Sequence, residues 1–175
     1  GAALHEGAHS LLTDYDVIDT TFANIPPNLF KLADKKNIRL NSLEKFLHSL
    51  LNIVEDRYID NFVFKRSVGY RGYYRALYNR HWDNPLIDEL LASDEYKWPS
   101  LESYIFRIGN LTNVNTNLNA LPRLDEIVDV FDLSNLERLE HTEDRINVAF
   151  QIAEIVLDCV DEIPDSSPMA AGEEG

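Results

Sequence analysis

Cysteine is almost missing: one residue in a chain of 175. A single thiol cannot close an internal disulfide, so the fold must stand on its core alone. Cys159 falls in the apolar run IAEIVLDCVDEI, which reads as a buried small residue and implies an intracellular setting. Glycine is also sparse, at seven residues, and none of them builds a loop that cradles phosphate. A nucleophile elbow and a Cys-His cluster are absent too, which leaves most common cofactor and nucleophile chemistries without support. No apolar run approaches the roughly 18 residues that cross a bilayer, so no membrane association is expected. Bases are few: 16 Lys and Arg face 30 Asp and Glu, for a formal charge of −14. That balance argues against a whole surface made for nucleic acid or anionic lipid, and any such contact must be local.

What the chain has is helical periodicity and apolar residues enough, at 45%, for one real core. The stretch NSLEKFLHSLLNIVEDRYIDNF sets Leu43, Phe46, Leu47, Leu50, Val54 and Tyr58 on one face, with Asn41 and Glu44 spaced as a capping box. Asn84 followed by Pro85 opens a short helix, and further helices run through Leu101 to Ile108 and from Pro122 to Phe131. The segment from Thr142 to Ile163 is apolar over more than half its circumference, as a central helix packed on several sides would be. SLEKFLHSLLNI and SLESYIFRIGNL echo one another, which shared helix chemistry explains as well as a repeat does. Residues 13–40 are less regular: YDVID and NIRL could each be a short strand, and PPNLFKLADKK reads as a helix begun by proline. The asparagine-rich NLTNVNTNLNAL is expected to be a structured loop. The fold expected is an all-α or nearly all-α single domain over residues 1–163, of about six helices, with an acidic tail at 164–175 that has no apolar period and is expected to be disordered.

Three patterns could carry chemistry. The first is His5, Glu6 and His9, an H-E-x-x-H. On a helix the two histidines face one way and can share a zinc ion, while the glutamate acts as general base on the bound water. Gly7 weakens the helix that must hold them. A third ligand is needed, and Glu44 or His48, four apart on the next helix, is the expected donor. With Glu44 in that role the set resembles a small zinc peptidase with a distal glutamate, which implies a zinc cofactor and catalysis by Glu6.

The second is KRSVGYRGYYRALYNRHW, where bases and aromatics interleave in an otherwise acidic chain. Residues 57–82 could hold phosphates on the bases and stack nucleobases on the rings. The charge of the whole chain makes a protein partner, or a second copy of the chain, the preferred expectation. Tyr70, Arg71, Tyr74 and Trp82 are then the residues expected to face it, because Tyr, Trp and Arg dominate binding hot spots. The acids that crowd the sequence from Asp125 onward offer a complementary surface. The third pattern, Arg75 and His81, resembles the R-x(4-6)-H signature of the HEPN ribonucleases, all-helical proteins, and implies action on an RNA phosphodiester.

The expectation drawn from these features together is a non-catalytic helical interaction module without a cofactor. A zinc hydrolase built on the H-E-x-x-H motif is the alternative, and a HEPN-like ribonuclease a third.

Overall fold

The computed structural model describes residues 2–163, and those residues form an all-α domain without a strand. The chain runs through α1 (Ala2–Leu12), α2 (Tyr15–Ala23), α3 (Pro27–Lys35), α4 (Leu40–Arg66), α5 (Arg71–His81), α6 (Pro85–Ala92), α7 (Leu101–Gly109), α8 (Leu124–Phe131) and α9 (Thr142–Cys159). Short 3₁₀ turns at Val68–Tyr70 and Leu133–Arg138 join α4 to α5 and α8 to α9. The helices are thus more numerous than the sequence suggests, and the tail at 164–175 lies outside the described residues.

Two helices form the centre where one was expected. The stripe on α4 that buries Leu43, Leu47, Leu50, Val54 and Ile59 packs on the face of α9 that buries Ile146, Ala149, Ile152, Ala153 and Val156. Ala149 and Ala153 carry only a methyl group, which lets the larger side chains of α4 pack close to α9 there. Five other helices pack on this pair, α1 against α4, α2 and α8 against α9, and α3 and α7 against both.

Local chemistry explains the boundaries. YDVID begins the helix Tyr15–Ala23 and is not a strand, because the Asp14 side chain accepts from Val17 N at 3.1 Å and caps α2. Pro26 and Pro27 start α3, and Asn37 at φ 56° ends it. NIRL is the turn and first residue of α4, so neither short strand forms. The start of α4 falls one residue before Asn41, at Leu40, and Arg39 precedes it without a side-chain cap. Asn84 and Ser100 cap α6 and α7 by bonds to Ile87 N and Ser103 N. The asparagine loop is ordered by its own amides: buried Asn113 donates to Trp82 O at 2.7 Å and Asp88 Oδ1 at 2.9 Å.

One charged pair lies in the core. Arg145 is fully buried, its Nε donating to Glu55 Oε1 at 2.7 Å while its other nitrogens reach the carbonyls of Leu12, Leu139 and Glu140. That bond to Leu12 O satisfies the end of α1, and Thr142 Oγ1 accepts from Asp14 N at 2.8 Å just beyond it. The first helix is therefore tied at its C-terminal end to α9 while lying along α4.

Candidate metal centre

Helices α1 and α4 run antiparallel, and each presents a pair of polar residues one turn apart to the other. His5 meets Asp60 and His9 meets Asp56, so the spacing H-x3-H on α1 is answered by D-x3-D on α4. His5 Nε2 and His9 Nε2 lie 3.1 Å apart, and Asp56 Oδ1 lies 3.3 Å from the first and 3.1 Å from the second. His5, His9 and Asp56 are the group of metal-ligating side chains that the described residues bring together.

The hydrogen bonds behind the imidazoles assign their tautomers. His5 Nδ1 stands 2.8 Å from Asp60 Oδ1, and a carboxylate can only accept, so the proton sits on Nδ1. Thr13 spends its single hydroxyl proton on Glu55 Oε2 at 2.9 Å and so accepts from His9 Nδ1 at 3.3 Å. In the neutral form of both rings, Nε2 is a bare lone pair. Two such lone pairs and a carboxylate oxygen then face each other with no proton among them. Three acceptors at these distances repel unless a metal cation or a shared proton joins them. An ion about 2.1 Å from each atom would sit roughly 1 Å above their plane, a geometry that zinc and similar ions accept.

The supports extend on both sides. Asp60 Oδ2 accepts from Tyr78 Oη at 2.7 Å, and Tyr78 Oη in turn accepts from Arg57 Nη1 at 2.8 Å. Glu55, behind Thr13, is held by buried Arg145. A continuous polar chain thus runs from Arg57 through Tyr78 and Asp60 to His5, and another from Arg145 through Glu55 and Thr13 to His9. Outer partners of this kind fix the ring orientation of metal-binding histidines and raise their basicity. Burial pushes the Tyr78 hydroxyl far above its ordinary pKa, and the neighbouring Asp60 carboxylate adds to the shift, so it remains a donor.

The site is open on one side. The His5 and His9 side chains are 21% and 15% exposed, but Asp56 is 47% exposed. It opens on a cleft of about 530 Å³ lined by Glu6, Tyr15, Ile18, His48 and Asn52 among others. Glu6 is exposed and lines that cleft.

Several expected positions are corrected here. Glu44 is not beside the imidazoles, for it lies three turns nearer the start of α4, about 18 Å along the helix axis from Asp56. His48 lines the cleft but stacks its ring on Phe22, centroids 3.7 Å apart. Asp56 stands in the third position, and Asp60 behind His5. Both carry a signal in the sequence, acids at i and i+4 on the most regular helix, though the same spacing also describes a solvated face.

The basic and aromatic segment is turned largely inward. Tyr74 is 2% exposed and cannot face a partner, because α5 lays it against the core. Arg71 is half-buried, its Nε bonded to Phe64 O at 2.9 Å, and Trp82 packs over the Arg57 guanidinium. Tyr70 alone of the four stays well exposed. Arg75 and His81 point to different faces of α5, the first lining a cavity and the second set edge-on to Trp82. Gly72 is an ordinary helical residue in the first turn of α5, so only the segment at Ser67–Tyr70 interrupts the path from α4.

No helix among the described residues is long and apolar enough to cross a membrane. The chain matches no protein-family model, and no curated protein or solved structure is significantly similar to it.

Proposed function

We propose that His5, His9 and Asp56 bind one zinc ion and that the protein is a zinc-dependent hydrolase. The observation that carries this reading is the meeting of three potential ligand atoms, His5 Nε2, His9 Nε2 and Asp56 Oδ1, within 3.3 Å, with both imidazoles held from behind. Two imidazoles and one carboxylate suit zinc, and three protein ligands with an open side are the arrangement of a catalytic rather than a structural ion. Such an ion lowers the pKa of a bound water towards neutrality. With an ion held by His5, His9 and Asp56, the metal would supply the activation of water, and Glu6 would serve as proton acceptor and then donor in the hydrolysis of an ester or amide. The cleft is of a size that holds a small substrate. The free thiol of Cys159 supports an intracellular setting, where thiols stay reduced.

Elemental analysis of the purified chain tests the binding step. One zinc per chain, lost in His9→Ala and in Asp56→Ala, is the expected result. Native protein that holds no zinc after incubation with excess ion overturns the reading. Glu6→Gln then separates binding from catalysis: zinc content is unchanged, while turnover of 4-nitrophenyl acetate falls by about 100-fold or more.

A second reading keeps an interaction role for the part of the basic and aromatic segment that stays outside. Val68, Tyr70 and Tyr73 are exposed together beyond the end of α4, and a second copy of the chain is the simplest partner for them. Sedimentation of the native chain and of Tyr70→Ala tests it. A dimer that the substitution dissociates supports this reading, and two identical profiles remove it.

A further inference from the structure

A second cavity, of about 370 Å³, lies on the other side of Asp60 from the paired imidazoles, between α4, α5 and the 3₁₀ turn at Leu133–Arg138. Its size falls within the range of small-molecule sites. Phe64, Leu133 and Leu136 give it an apolar wall. Some of its polar groups are already satisfied: Arg57 donates to Tyr78 Oη and Gly109 O, and Tyr78 donates to Asp60. The Asn61, Asn79 and Thr112 side chains line it without a hydrogen bond among the described residues, and so do two donors that matter more, one buried and one charged. The Tyr74 hydroxyl is buried and meets no partner, although nearly every buried hydroxyl in a folded protein has one. Arg75, exposed at the rim, makes no hydrogen bond or ion pair with any described residue.

We propose that this cavity binds a small monocarboxylate with an apolar body, its carboxylate accepting from Tyr74 Oη and pairing with Arg75. The buried Tyr74 hydroxyl and the Arg75 guanidinium both offer protons, so a ligand that meets them brings acceptors, and the guanidinium selects an anionic one. Burial, with the Asp60 carboxylate adding to it, pushes the Tyr74 hydroxyl up to about 12, so near neutral pH it keeps its proton and donates. Asp83 lines the same cavity and has no ionic partner among the described residues, so its negative charge disfavours phosphate dianions. The apolar wall takes the rest of the molecule. The site does not depend on a metal at His5 and His9, though it shares Asp60 with the supports of that cluster.

Phenylacetate is the probe, with phenylacetamide as its neutral counterpart and phenyl phosphate as the dianion. Titration of the full chain, followed by amide NMR or calorimetry, is expected to show one saturable site for phenylacetate and weaker binding of both analogues. Tyr74→Phe, which removes one oxygen and no packing, weakens phenylacetate by about 10-fold. Arg75→Ala, at the surface and clear of the core, abolishes the preference for the acid over the amide. Absence of saturable binding at millimolar phenylacetate overturns the proposal. So does equal affinity in the native chain and both variants.

Discussion

His5 Nδ1 and Asp60 Oδ1 stand 2.8 Å apart, and this bond turns the other nitrogen of the ring towards His9 and Asp56. Asp56 and Asp60 are therefore unlike in role although they are one turn apart on the same helix. Asp56 offers an oxygen to the cluster, and Asp60 holds a ring in the right tautomer. Removing Asp60 leaves all three candidate ligands in place but frees His5 to rotate and to carry its proton on either nitrogen. Asp60→Asn, whose amide oxygen still accepts, is expected to weaken zinc by about 10-fold, and Asp60→Ala by about 100-fold. Competition with a chromophoric chelator reads both numbers. Affinities equal to that of the native chain would show that Asp60 does not support the cluster.

The other support reaches the core. Glu55 and Arg145 are both buried, and α1, α4 and α9 converge on them. Glu55→Ala strands a guanidinium without its counter-ion and is expected to cost about 3–5 kcal/mol in urea unfolding. The pair Glu55→Leu with Arg145→Met restores only part of this, because the carbonyls of Leu12 and Leu139 then lose the donors that Arg145 supplies. A loss under about 1 kcal/mol in the single variant would mean that solvent reaches the pair.

Gly7 stands between the two histidines on α1, where a helix former is worth more than a glycine. A Cβ added there meets nothing within 4 Å, and the backbone φ is not positive. Gly7→Ala is expected to stabilise the domain by up to about 1 kcal/mol through the unfolded chain and the helix alike. Zinc affinity is expected to hold or rise, since the ligand-bearing helix frays less. Lower stability in thermal melts would place Gly7 in a contact that the geometry does not contain.

The all-α class was legible because its signals are local. The stripe on α4, the apolar girth of α9 and the Asn84-Pro85 start of α6 each follow from residues a few positions apart. YDVID was not, since its hydrophobic alternation outweighs the Asp14 cap that makes it a helix. The site was half legible. His5 and His9 share a face by spacing alone, but their third partner depends on how α1 crosses α4, a tertiary fact. Glu44 and Asp56 sit on the same helix, and only the crossing point chooses between them. In the same way Tyr74 and Tyr70 look alike in sequence, and burial separates them.

Four tyrosines carry the last expectation. Burial raises the hydroxyl pKa of Tyr58, Tyr74, Tyr78 and Tyr104, and Asp60 adds to the shift at Tyr74 and Tyr78. Tyr104 also donates to Pro122 O at 2.7 Å, a bond its ionised form cannot make. The sign follows from proton counting. A folded-state pKa above the unfolded value, near 10, means that the unfolded chain releases its proton first as pH rises. The stabilisation these groups lend is therefore complete below about pH 10 and is lost as pH climbs towards 12. Absorbance of the tyrosinate band is expected to show a lagging fraction that corresponds to these four of the eight tyrosines. That fraction should ionise together with the loss of the helical circular dichroism signal, because a phenolate buried between α4 and α5 loses its hydration and stands near the Asp60 carboxylate. Ionisation of all eight in one step near pH 10, with the helical signal intact, would show that water reaches the cavity around Tyr74 and Tyr78 freely. It would then remove the reason for the Tyr74 hydroxyl to want a ligand.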